Sequence, residues 1–154
     1  MVRRCTYGTV HDLTRTSNDV TAGPVVYPNA KLVGSPAGLS DFYGGGQVPD
    51  GPEGSRFYKM GTLVKAGAMV TITVAPSARP YLRLHQGPGP GPNLQGEMSV
   101  VFQACPGRSY TGWVGGFDIK GPMPACVALD VQVSGEQTPR RLTIPFGGPA
   151  CGSS

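Results

Sequence analysis

The sequence predicts an all-β fold: an antiparallel β-sandwich, immunoglobulin-like, of seven or eight short strands, with a closed β-barrel as the alternative. Three observations carry this. The 154 residues include 24 glycines and 16 prolines, which cost roughly 1 and 3 kcal/mol each inside a helix. Charge is scarce, with 13 Lys and Arg against 9 Asp and Glu, while 39% of the chain is apolar. That balance separates it from highly charged disordered proteins. Finally, apolar and polar residues alternate over short stretches bounded by turn formers, the period of a half-buried strand. The glycines follow no triplet period, which excludes collagen. The length suits one domain, residues 1–154, without an internal repeat.

Residues 6–56 are the least regular. Short apolar runs (Val25 to Tyr27, Lys31 to Val33) alternate with Gly23-Pro24, Pro28-Asn29 and Gly34-Ser35-Pro36. One or two strands at a sheet margin are expected there. Gly44-Gly45-Gly46 and the stretch from Pro49 to Gly54 read as a long loop. From Phe57 the pattern sharpens. Phe57 to Lys65 leads through Ala66-Gly67 into Ala68 to Val74, where Ala68, Val70, Ile72 and Val74 share one face. The intervening turn suits a hairpin. Arg79 to His85 is another strand, with Leu82 and Leu84 on one face and Tyr81, Arg83 and His85 on the other. Gly87 to Pro92 reads as an exposed, semi-rigid loop. Met98 to Cys105 resumes a strand. Tyr110 to Ile119 follows, with a bulge or close backbone approach expected at Gly112 and Gly115-Gly116. Cys126 to Val133 and Arg140 to Phe146 alternate cleanly about a turn at Ser134 to Gln137. Residues 152–154 are expected to be a disordered tail.

The net charge of +4 is dispersed, its densest points being Arg3-Arg4 and Arg140-Arg141. Nucleic-acid binding needs a concentrated basic patch, so no nucleic-acid partner is expected. Four cysteines without a C-x-x-C pair favour disulfides in an exported domain. Cys105 and Cys126 bracket a strand-turn-strand stretch, and Cys5 and Cys151 lie near the chain ends. The expected bridges are Cys105–Cys126 and Cys5–Cys151, stapling residues 5–151, although three pairings are open to four cysteines. No signal peptide and no membrane-spanning segment are visible. An exported protein would then be a mature or trimmed ectodomain carrying an added Met1.

No catalytic, cofactor or metal constellation is recognisable. Gly34-Ser35-Pro36-Ala37-Gly38 has serine at the wrong offset for a nucleophile elbow, and no glycine run ends as a phosphate loop. His11 and Asp12, adjacent on a strand, would point to opposite faces. Tyr81, Arg83 and His85 form a row that could hold an anionic ligand, although a solvent-facing sheet surface is the simpler account. Asp118 and Asp130 could face one another as a glycosidase pair, but the solvent face is again simpler. Trp113 with Tyr110 and Phe117 could make an aromatic platform. A core tryptophan beside a disulfide is favoured. Tyr43 is a further candidate surface aromatic.

The segments Phe102-Gln103-Ala104-Cys105-Pro106, Gly115-Gly116-Phe117, Cys126-Val127-Ala128-Leu129-Asp130-Val131 and Arg141 to Gly147 occur in this order. In this the chain resembles small exported or membrane-tethered proteins of high-GC Gram-positive bacteria (actinobacteria), of unknown function. The resemblance covers residues 100–151 and more weakly the strands from residue 57. It implies a β-sandwich outside the cytoplasm with Cys105 joined to Cys126, and it carries over no catalytic residue. The expected function is thus a non-enzymatic extracellular or cell-surface domain with a binding or structural role. Its partner would be an envelope or extracellular protein or a glycan. A small secreted hydrolase with an unrecognised acid/base pair, or a carbohydrate-binding module, is the alternative.

Overall fold

Alternation in sequence becomes alternation in burial. In Met69–Val74 the side chains of Val70, Ile72 and Val74 are buried while Met69, Thr71 and Thr73 face outward, as a two-residue period requires. The computed structural model describes residues 2–34, 56–86, 96–121, 125–147 and 151. The expected loops at 44–54 and 87–92, Ser35, Tyr43 and the 152–154 tail lie outside them.

Thirteen strands occur among the described residues: β1 (Val2–Arg3), β2 (Thr9–His11), β3 (Val20–Ala22), β4 (Val25–Tyr27), β5 (Arg56–Lys59), β6 (Thr62–Lys65), β7 (Met69–Val74), β8 (Leu82–Gln86), β9 (Ser99–Gln103), β10 (Tyr110–Trp113), β11 (Gly115–Ile119), β12 (Ala125–Val133) and β13 (Arg140–Phe146). The other regular elements described are short 3-10 turns. One layer has the order β1-β9-β7-β12-β13, and the other is made of two sheets, β2-β10-β6-β4-β3 and β5-β11-β8. All pairs are antiparallel except β1 with β9. Among the described residues no sheet closes into a barrel, and the architecture is the expected antiparallel sandwich.

The strand count exceeds seven or eight for two reasons. Two long strands are each interrupted: β5 and β6 at Met60-Gly61, β10 and β11 at Val114. Met60 N–H donates to Gly115 O across the break at 2.8 Å, so both sheets of this layer stay in step. The N-terminal region also contributes more than the one or two marginal strands expected. Its β4 lies between β6 and β3, and Val25, Val26 and Tyr27 are fully buried.

The expected hairpin at Ala66-Gly67 does not form. β6 pairs with β10 and β4, whereas β7 pairs with β9 and β12 in the opposite layer. Gly67, at φ +77°, takes the chain from one layer to the other. The hairpin at Ser134-Gly135 does form, joining β12 to β13 from Val131 opposite Arg140 to Ala125 opposite Phe146.

The disulfide pairing is also different: Cys5 is bonded to Cys105 and Cys126 to Cys151, with Cα separations of 4.7 and 5.1 Å. Sheet order explains why. β7 lies between β9 and β12, which alone places their axes roughly 10 Å apart. Cys105 also follows the end of β9 level with Met69, while Cys126 lies beyond the other end of β7, below Leu129 opposite Val74. A disulfide needs Cα atoms within about 7 Å. Each bridge instead closes one end of the same layer.

The core lies between the layers. Phe102 meets Trp113 with ring centroids 5.0 Å apart, Tyr58 meets Phe146 at 5.3 Å, and Phe117 meets Phe146 at 6.0 Å. Each pair joins one layer to the other through tilted or edge contacts that aromatic quadrupoles favour. Trp113 is 2% exposed, and its indole N–H donates to Arg4 O at 3.1 Å. It is a core residue beside the Cys5–Cys105 end.

Candidate functional site

The outer face of β8 and β11 carries the only described histidine–carboxylate contact. Leu82 and Leu84 of β8 point into the core, so Arg83 and His85 face out. In β11 the inward residues are Phe117 and Ile119, and Asp118 faces out directly opposite Arg83. The diagonal neighbour on that face is His85, whose Nδ1 lies 3.2 Å from Asp118 Oδ2. Diagonal pairs are within reach of long side chains in an antiparallel ladder.

Asp118 lies on the outer face, as expected, but is covered rather than exposed to solvent. Its side chain is 4% exposed, while that of His85 is 29% exposed. Gly96 lies against it, since a Cβ there would come within 2.9 Å of Asp118 Oδ2 and would overlap Arg83 Cβ. The segment is held by reciprocal backbone hydrogen bonds between Glu97 and Leu84 at 2.7 and 2.8 Å. Asp118 Oδ1 is buried without a hydrogen-bond partner. Burial pushes the Asp118 carboxyl above its ordinary value, and the hydrogen bond and charge of His85 offset only part of this. A carboxylate on Nδ1 fixes the ring orientation and favours the tautomer in which Nε2 is the basic nitrogen. The arrangement is chemically capable of orienting a general base.

The rest of the row is tied to backbone carbonyls. Arg83 Nη1 donates to Arg79 O and, at 2.8 Å, to Leu82 O. Tyr81 donates through its hydroxyl to Cys126 O at 2.8 Å, which ties β8 to the Cys126–Cys151 end. Tyr110 is half-buried on the outer face of β10, opposite His11 and Lys65. Trp113 and Phe117 point inward, so these three aromatics do not form a platform. Asp118 and Asp130 lie in opposite layers, both facing outward. Asp130 pairs with Arg141 at 2.7 Å, and the two acids do not face each other. His11 and Asp12 do not pair either; Asp12 accepts from Ser109 Oγ at 2.8 Å. Among the described residues, no group of three His, Cys, Asp or Glu could hold a metal ion.

Sequence reasoning missed Asp19. It is buried and accepts from the N–H groups of Thr16 and Asn29, both at 2.9 Å, from Thr16 Oγ1 at 3.1 Å and from Arg15 Nε at 3.2 Å. Burial alone would raise its pKa, but these donors together hold it below the ordinary value. Asp19 organises the turn that delivers β3 and β4. Asn29, at φ +55°, takes the left-handed conformation that Asn tolerates best among non-glycine residues.

No family model, characterised protein or solved structure matches this chain.

Proposed function

We propose that this chain is a non-enzymatic β-sandwich acting outside the cytoplasm, at or beyond a cell surface, in a binding or structural role. The observation that carries the reading is the use of all four cysteines in two bridges closing opposite ends of one layer. Such pairing fits an oxidising compartment. No described helix is long and apolar enough to cross a membrane. The resemblance to exported actinobacterial proteins points the same way, and an envelope protein or glycan is the partner class it suggests. The row of Arg83 and His85 beside Tyr81 is the candidate contact surface. The test is fractionation of cells expressing the native gene, followed by alkylation without reduction. Recovery outside the cytoplasm with both bridges formed is the expected result. Cytosolic protein with four alkylated thiols would overturn the reading.

The His85–Asp118 geometry favours a second reading, a small secreted hydrolase with this pair as its acid/base machinery. It predicts turnover of chromogenic esters, amides or glycosides, with a pH profile governed by one or two groups. Loss of at least about a hundredfold in turnover on His85→Ala, with an unchanged thermal transition, would establish it over the first reading. The carbohydrate-module reading loses its Trp113 platform, because that indole is in the core.

A further inference from the structure

The N-terminal segment crosses the flank of the sandwich and closes both layers at once. β1 covers the edge of β9, with Val2 opposite Val101 and Arg3 opposite Phe102. A 3-10 turn at Cys5–Tyr7 carries the chain across, and β2 covers the edge of β10, with Val10 opposite Thr111. Beneath the crossing lie Phe102, Thr111 and Trp113, all buried. Gly8 passes so close above them that a Cβ would stand 2.5 Å from Thr111 Cγ2 and 3.1 Å from Trp113 Cε2.

The strap covers core without contributing to it. No described side chain from Val2 to Asp12 is buried, and Tyr7 and Val10 are 62% and 59% exposed. Apolar burial is the main source of stabilisation at about 25 cal/mol per Å², and this segment has little. Its hold includes the edge hydrogen bonds, the Arg4 carbonyl on the Trp113 indole, the Ser109 hydroxyl on Asp12 and the Cys5–Cys105 bond, which is the one covalent tie among them. Residues 12–15 then lead, without regular structure, to Thr16, which Asp19 anchors. The segment is a lever with one covalent latch.

We propose that the β9–β10 flank is a strand-exchange site latched by the Cys5–Cys105 disulfide, and that its occupant on release is the Val2–Asp12 segment of a second copy. Release consumes a dithiol. Two electrons and two protons pass to the Cys5–Cys105 bond, which opens to two thiols, and the dithiol closes to its own disulfide. Cys5 borders an open groove with Arg4, Gly67, Met69 and Gln103, the side from which an attacking thiolate would approach. Release leaves two sheet edges unpaired, which invites strand addition. The chain itself supplies the segment that fits: two short strands, Val2–Arg3 and Thr9–His11, joined by a 3-10 turn and a glycine that clears Trp113. Exchange of identical elements between copies needs no new surface.

The experiment uses the full chain carrying Cys5→Ser and Cys105→Ser, with Cys126–Cys151 intact. A fluorescent peptide of residues 2–12 with serine at position 5 is titrated against it and against the oxidised wild type. Saturable binding to the variant, at least about tenfold tighter than to the wild type, is expected. A peptide carrying Gly8→Val should lose that binding. Failure of both peptides to bind a folded variant, or equal binding of both, overturns the proposal. Should the variant not fold, native-state hydrogen exchange on the wild type, before and after a dithiol opens Cys5–Cys105, decides. Once the bond is open, amides of residues 2–12 should exchange as a block, at least about a hundredfold faster than in the oxidised protein, while β7 and β12 keep their protection. Unchanged protection of residues 2–12 after opening overturns the latch.

Discussion

Asp118 holds one carboxylate oxygen 3.2 Å from Nδ1 of His85 and buries the other without a hydrogen-bond partner. An acid placed so is poorly compensated, and its stability contribution has a definite sign. Burial raises its pKa in the folded chain, with His85 offsetting only part, so the folded state binds the proton more tightly than the unfolded one. Stability therefore falls as pH rises from the ordinary carboxylate value of 3.8 through the raised folded value, and levels off above it. Asn at this position has no such proton to lose. The urea midpoint of Asp118→Asn should gain on that of the wild type over this acid window. A constant difference between about pH 3 and 6 would contradict the assignment.

Asp19 has the opposite sign. Its donors hold the folded pKa below the unfolded one despite burial, so its contribution is present above the unfolded value. It is lost as pH falls through the folded value. At neutral pH, Asp19→Ala should cost about 2 kcal/mol, the scale for hydrogen bonds to a charged acceptor. The deficit should shrink in acid. Denaturant melts of both proteins at several pH values measure this. A deficit that grows as pH falls would show that the donors do not favour the carboxylate.

The two bridges make separable predictions. Non-reduced peptide mapping should return Cys5–Cys105 and Cys126–Cys151. Cys126→Ser with Cys151→Ser opens a loop of sequence separation 25 and should cost about 3 kcal/mol on chain-entropy grounds. The Tyr81 hydroxyl donates to the backbone oxygen of Cys126, which the substitution keeps, so β8 should keep its amide protection. Loss of protection in β8 would show that this bridge holds the strand.

What the sequence made legible was whatever depends on local period. Val70, Ile72 and Val74, Leu82 and Leu84, and Leu142, Ile144 and Phe146 all point inward as their alternation indicates. Contacts set by sheet order were not legible. His85 and Asp118 lie 33 residues apart, and only the pairing of β8 with β11 brings them to one face. The same blindness misassigned the cysteines: bracketing a turn suggests proximity, yet β7 intervenes between the strands of Cys105 and Cys126. Asp118 reads as an outward polar residue by alternation, which is correct. Gly96 also lies against it, a neighbour that no strand pattern announces. Asp19 sits among turn formers, where its hydrogen-bonding role depends on Asn29 arriving from ten residues away.

Trp113 is the sole tryptophan, so its emission reports one environment. It is 2% exposed, packs on Phe102 and donates its N–H to Arg4 O. In the oxidised protein the emission should be blue-shifted and poorly quenched by acrylamide. Truncation to alanine removes a large buried ring that joins the layers, with a cost of about 3–5 kcal/mol. Trp113→Phe keeps most of the apolar volume but leaves the Arg4 carbonyl without its indole donor. Its smaller cost, about 1–2 kcal/mol, should appear as faster exchange in β1 and β2 as well as in the melt. If both substitutions were tolerated equally and wild-type emission were freely quenched, the indole would face solvent, and a stacking role for Trp113 would return.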